Sequence, residues 1–168
     1  MKKTLITIDP GISGTGVAIW DYDSMKRPMP EGSRSIRAVT PDHVMQMRFS
    51  TKFQYLYELR AWIRRMNCMT VICEDADFRK GDKGQMVAES GDLVALARFI
   101  GSIEGTVILE NIPFELVTAN KWKGQLDKRK TVDRIKKIWP ASVDVCGNEV
   151  TAHAWDAVGI GYWKLGLF

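Results

Sequence analysis

Residues 4–8 alternate β-branched and apolar side chains, the period-two signature of a strand. Pro10, Gly11 and Gly14 break the run, and an apolar stretch resumes over 16–20, so the chain opens as a hairpin with a glycine-rich turn. Residues 21–33, with Pro28, Pro30 and Gly32, form a loop, and alternation returns over 34–40 as a third strand. The spacing then becomes helical over 45–66, where Phe49, Phe53, Leu56, Leu59 and Ile63 share one face and Ser50 and Thr51 are candidate caps. Residues 70–74 make a short apolar strand that ends in acids. A polar loop follows over 78–85, then a second helix over 87–103, rich in small residues, with Leu93, Ala97 and Ile100 expected in the core. Residues 113–118 are a last strand, 131–139 a basic helix that Pro140 stops, and 151–165 an amphipathic helix with Thr151 as its N-cap.

This order predicts an α/β fold: a three-stranded meander extended by parallel crossovers into a mixed five-stranded sheet, with helices on both faces. With 168 residues and no internal repeat, linker or low-complexity segment, the expectation is one domain spanning 1–168. Hydrophobic residues make up 45% of the chain, enough to build a core rather than a disordered polymer. No stretch approaches the roughly 20 apolar residues that would cross a bilayer, and the first apolar run is too short for a secretion signal. The three cysteines, Cys68, Cys73 and Cys146, include no CxxC pair, which argues against a disulfide framework or a structural zinc site, and Cys73 is expected to be a buried thiol. Together these point to a soluble, cytoplasmic protein without a membrane partner.

Charge sharpens the picture where it is clustered. The net charge of +4 is weak evidence, but residues 121–137 hold eight Lys or Arg and two Asp, a candidate phosphate-contacting surface. Against this basic stretch stand a few acids in telling places. Asp9 ends a strand where a glycine turn opens, and Glu74 ends another; strand ends are where α/β sheets present ligand groups. Asp156 lies one turn into the last helix, three residues after His153, so the two share a face. Carboxylates brought together from distant segments suit hard divalent cations, which offset their mutual repulsion and can activate water against a phosphodiester. Asp75 and Asp77 are expected to face solvent.

Three segments carry a family resemblance. Thr7, Asp9, Pro10 and Gly11, followed by Gly14, Gly16 and an apolar strand, resemble the opening of RuvC-type Holliday junction resolvases. The acid ending the run Val71, Ile72, Cys73, Glu74 resembles that family's fourth strand, and His153, Asp156 and Ala157 resemble its last helix. The resemblance implies a ribonuclease H-like fold, a homodimer, and cleavage of four-way DNA junctions with two Mg²⁺ or Mn²⁺ ions per active site, by paired nicks that leave 5′-phosphate and 3′-hydroxyl ends. It assigns Asp9, Glu74 and Asp156 as metal-binding catalytic acids. His153 stands where many members carry a fourth Asp, and it leaves the choice of metal open. The implied DNA contacts are Phe78, placed like the family's junction-wedging aromatic, with Arg79, Lys80 and Lys83 beside it, and Lys121, Lys123, Arg129 and Lys130 ahead of the last helix. The insert over 21–33 marks a divergent member which, if phage-encoded, would work in the host cytoplasm.

Blander readings stand beside these. Asp9 before Pro-Gly is a common turn opener, a basic helix face is usually just solvated, and Trp122 is expected to be packed rather than stacked on a base. An acid buried unpaired in an apolar helix face is costly, so Asp156 is expected to have a metal or a cation partner, and it is the hardest of the set to dismiss. Competing functions are a related nuclease for flaps, forks or RNA–DNA hybrids, a nucleotide-binding module built on the Asp9–Gly16 turn, and a DNA-binding protein without catalysis.

Overall fold

The structure, a computed structural model, describes residues 3–21, 41–47, 52–76, 91–124, 126–140 and 149–167. Its strands are β1 (Thr4–Asp9), β2 (Thr15–Asp21), β3 (His43–Met47), β4 (Cys68–Glu74) and β5 (Phe114–Val117). Its helices are α1 (Lys52–Arg65), α2 (Asp92–Leu109), α3 (Ala119–Lys123), α4 (Lys128–Ile138) and α5 (Ala152–Lys164). The strands form one sheet in the order β3-β2-β1-β4-β5. β1, β2 and β3 are antiparallel neighbours, whereas β4 lies parallel to β1 and β5 parallel to β4. The expected mixed five-stranded sheet with helices on both faces is therefore present.

Alternation along β1 sends its side chains into two separate cores. Ile6 and Ile8 join Val71, Cys73, Leu59, Ile63, Phe99 and Ile103 beneath α1 and α2. Leu5 joins Ile72, Val117, Trp122, Ile135, Val158 and Ile160 on the face covered by α3, α4 and α5. Cys68 and Cys73 are buried, as expected for Cys73. No helix among the described residues is long and apolar enough to cross a membrane.

Helix α5 is buried from Ala154 to Tyr162, and one polar side chain pins it to the sheet. Thr7, fully buried, donates its hydroxyl to the carbonyl of Ala157 at 2.8 Å and accepts the indole N–H of Trp20 at 2.9 Å. A Thr7→Val variant keeps the shape but leaves that indole without its acceptor. It should lose about 1–3 kcal/mol of stability, read as a lower midpoint in urea.

Some element boundaries differ from expectation. The third strand predicted over 34–40 lies outside the described residues, and so do Phe49, Ser50 and Thr51. Residues 43–47, expected to open the first helix, are strand β3 instead. The open edge of β2 pairs with them from Thr15↔Met47 to Ile19↔His43, and this pairing outweighs the mild helix preference of Met and Gln. α2 runs six residues past the predicted Ile103 and ends at Leu109; Glu110 is its C-cap, and Asn111 follows in the left-handed region at φ 57°. Ala97, expected in the core, is exposed, whereas Ile100 is buried and Leu93 half-buried. The short α3 was not anticipated. α4 starts earlier than expected because Asp127 caps it, accepting from the Lys130 amide at 2.9 Å. Thr151 does cap α5, accepting from the Ala154 amide at 3.4 Å.

Candidate active site

Parallel pairing of β1 with β4 sets Ile8 opposite Cys73, so the next residues, Asp9 and Glu74, end neighbouring strands at the same level. Strand alternation turns both toward the face covered by α5, the side reached by Thr7 and Ile72. α5 enters over this strand end. Its first turns supply His153 and, three residues on, Asp156, 4% exposed inside an otherwise apolar stretch. Four groups from three distant segments thus meet at one end of the sheet.

Each acid has a distinct partner. Asp9, 7% exposed, has its Oδ2 2.7 Å from Nδ1 of His153. Glu74 accepts the indole N–H of Trp122 on Oε2 at 2.9 Å. Nζ of Lys123 lies 4.0 Å from both Glu74 Oε1 and Asp156 Oδ2, and Nζ of Lys128 lies 3.5 Å from the same Asp156 oxygen. The other Asp156 oxygen, Oδ1, is buried with no hydrogen-bond partner among the described residues.

Burial dominates the electrostatics. Desolvation, joined by the charge of Asp156, raises the Asp9 carboxyl above its ordinary value against the pull of its His153 hydrogen bond. Burial and then the charge of Asp9 push Glu74 up to about 7, despite Lys123 and the Trp122 hydrogen bond. The hydrogen bond to Asp9 raises His153. A group whose value is raised on folding stabilises the protein at low pH and loses that stabilisation as pH climbs through its folded value. All three groups act in the same sense. Without divalent ions the chain should therefore be less stable at pH 8 than at pH 5. Glu74 alone accounts for up to about 3 kcal/mol, since it moves from 4.5 to about 7. A Glu74→Gln variant should flatten this slope and melt about 5–10 °C above the unsubstituted chain at pH 8. Thermal scans across pH in a chelator check this, and an unchanged slope would refute it.

A divalent cation fits the chemistry of these donors. Carboxylate oxygens with one imidazole suit Mg²⁺ or Mn²⁺, the acids repel one another, and Asp156 Oδ1 is a buried acceptor without a donor among the described residues. As the side chains stand, however, no three His, Cys, Asp or Glu among the described residues are grouped closely enough to enclose an ion. His153 holds Asp9, Trp122 holds Glu74, and Lys123 lies between Glu74 and Asp156. Ion uptake at Asp9, Glu74, Asp156 and His153 would require Lys123 to yield and the carboxylates to converge.

The other sequence candidates are placed differently from one another. Lys123, a DNA contact by resemblance, stands 4.0 Å from both Glu74 and Asp156. Arg129 and Lys130 are exposed on the first turn of α4, with Lys130 3.5 Å from Asp127; the residue of that turn that touches the cluster is Lys128, which nothing in the local sequence distinguishes from its two basic neighbours. Lys121 points elsewhere, toward Glu115 at 3.9 Å and over the Trp163 ring at 5.2 Å. Phe78, Arg79, Lys80 and Lys83 lie outside the described residues. Trp122 is packed, 2% exposed, as expected, but its hydrogen bond to Glu74 was not foreseen.

The sheet order, the crossovers and the helix laid across the strand ends make this a ribonuclease H-like fold of the RuvC type. The structure resembles RuvC of T. thermophilus in complex with a Holliday junction substrate, with a TM-score of 0.65 and 13% identity over 96% of this chain and 91% of that one. A second Thermus thermophilus RuvC structure matches at TM-score 0.61 and 16% identity, covering 98% and 97% of the two chains. The Fowlpox virus resolvase, solved with its substrate Holliday junction DNA, matches at TM-score 0.52 and 14% identity over 95% and 98%. No protein-family model matches the sequence, and no curated protein matches it either.

Proposed function

We propose that this chain is a structure-selective DNA endonuclease that cleaves four-way junctions. One observation carries the reading. In a RuvC-type fold, Asp9, Glu74 and Asp156, with His153, gather at one end of the sheet, and a buried carboxylate oxygen there has no donor among the described residues. Bound among these side chains, two Mg²⁺ or Mn²⁺ ions would supply the Lewis acidity and the low-pKa water that phosphodiester hydrolysis needs. The chain's own part is to orient and to balance charge. His153 fixes the Asp9 carboxylate through Nδ1, leaving Nε2 for a ligand or a water. Lys123 and Lys128 neutralise Glu74 and Asp156 in the resting site and would turn to the phosphate once the acids are otherwise engaged. Arg129 and Lys130, exposed on the same turn, would extend the contact along the backbone, where shape rather than sequence is read. Phe78, Arg79, Lys80, Lys83 and Lys121 remain proposed DNA contacts on the strength of the sequence resemblance.

Paired nicks need two sites, and α2 offers a surface for a homodimer. Val94, Ala97, Gly101, Gly105 and Ile108 are exposed along it, and a Cβ at either glycine would meet none of the described residues within 4 Å. The test of the whole reading is cleavage of an immobile four-way junction, a flap, a fork and an RNA–DNA hybrid under one salt condition, with Mg²⁺, with Mn²⁺ and with chelator, alongside light scattering. Symmetric metal-dependent nicks in the junction by a dimer support it. Preference for the flap, fork or hybrid would move the chain to a different ribonuclease H-like activity, and no cleavage with either metal would remove the enzymatic reading.

A further inference from the structure

The hydrogen bond between Trp122 and Glu74 has no counterpart among the residues expected to act. The two oxygens of Glu74 are used differently. Oε2 accepts the indole N–H at 2.9 Å, while Oε1 is 4.0 Å from the Lys123 ammonium that also lies 4.0 Å from Asp156. The carboxylate is therefore held in one orientation, with Oε1 toward the space it shares with Asp156. The indole has little freedom to let go. It is 2% exposed, and α5 passes so close that a Cβ at Gly159 would overlap its six-membered ring and stand 3.1 Å from the Ile135 methyl. A glycine at that point of a buried helix costs helix propensity and admits the ring.

We propose that Trp122 is a positioning residue: its N–H pins Oε2 of Glu74 so that Oε1 alone faces the ion-binding space. The proposal rests on the metal-site reading above. Partners of this kind orient a ligating carboxylate, and losing one typically costs 10–100-fold in metal affinity. Packing and hydrogen bonding can be separated, because Phe fills most of the indole's volume without its N–H.

The experiment is Mn²⁺ binding, followed by electron paramagnetic resonance, for the unsubstituted chain, Trp122→Phe, Glu74→Gln and the double variant, all well below their melting temperatures. Trp122→Phe should bind Mn²⁺ about tenfold more weakly, and adding Trp122→Phe to Glu74→Gln should cause little further loss. In the ion-free chain, the indole N–H resonance that disappears in Trp122→Phe should shift in Glu74→Gln. A Trp122→Phe chain that melts lower yet binds Mn²⁺ as tightly as before would show a packing role alone and overturn the proposal. So would an undiminished further loss in the double variant, or an indole resonance indifferent to Glu74. An unsubstituted chain that takes up no Mn²⁺ overturns the metal-site reading itself, and this proposal with it.

Discussion

Replacing Asp9 with Asn should cut junction cleavage by about a thousandfold or more in single-turnover rate, while junction affinity measured in chelator stays within about threefold. The substitution keeps the shape and the oxygen that faces His153, so the hairpin end and the first turn of α5 have no reason to move. It removes a negative charge from a position where burial and Asp156 already oppose ionisation. The variant should consequently melt at or above the temperature of the unsubstituted chain near pH 8. That pairing of outcomes is the informative one. An acid kept for structure costs stability when neutralised; an acid kept for chemistry costs activity and returns stability. Junction gel shifts, quenched-flow cleavage and a thermal scan make the measurement. Cleavage at the unsubstituted rate would remove Asp9 from the site.

The same contrast explains which parts of this site could be read from the sequence. Asp9 and Glu74 were legible because each ends an apolar strand, and parallel register leaves strand ends side by side whatever lies above them. His153 and Asp156 were legible because helical spacing alone puts them on one face, and because an acid among Ala154, Trp155, Ala157 and Val158 calls for a metal or a cation partner; Lys123 and Lys128 stand beside it. Thr151, one step ahead of that helix, announced where it would begin.

What escaped depends on how helices approach one another. Residues 128–130 are three consecutive basic residues, and only the angle at which α4 meets α5 decides that Lys128 reaches Asp156 while Lys130 turns to its own cap residue. Lys121 and Lys123 sit two apart on the five-residue α3, which turns them to different sides. One lies near Glu74 and Asp156 and the other near Glu115 and Trp163. Trp122, between them, reads as one more core aromatic until β4 and α3 are placed together. The boundary at His43–Met47 was missed for a related reason: a sequence rich in Met and Gln takes strand form because β2 offers it an unpaired edge, which no local window contains.

Among the described glycines, Gly16→Ala should be the most damaging substitution. Gly16 pairs with Asp9 across the hairpin, directly beneath the first turn of α5. A Cβ there would overlap the carbonyl of His153 and come within 2.5 Å of the Ala154 amide nitrogen. The obstruction is backbone, not the tip of a flexible side chain, so relief requires the start of α5 to lift off β2. The helix is buried from Ala154 to Tyr162, and lifting it opens the core shared with Ala18, Trp20 and Val44. A loss of about 3–5 kcal/mol follows, at the upper end for strain and lost packing, with a fall in melting temperature of about 10 °C or more. The chemistry should suffer separately. Raising the helix draws His153 from the 2.7 Å contact with Asp9 and carries Asp156 with it, and a displacement of about 1 Å can cost about a hundredfold in rate. Denaturant titrations and cleavage measured at a temperature where the variant is still folded separate the two effects. A Gly16→Ala chain with unchanged stability and cleavage would mean that α5 does not rest on β2 as closely as this geometry requires, and that His153 and Asp156 are held over the strand ends by something other than the glycine at the hairpin's base.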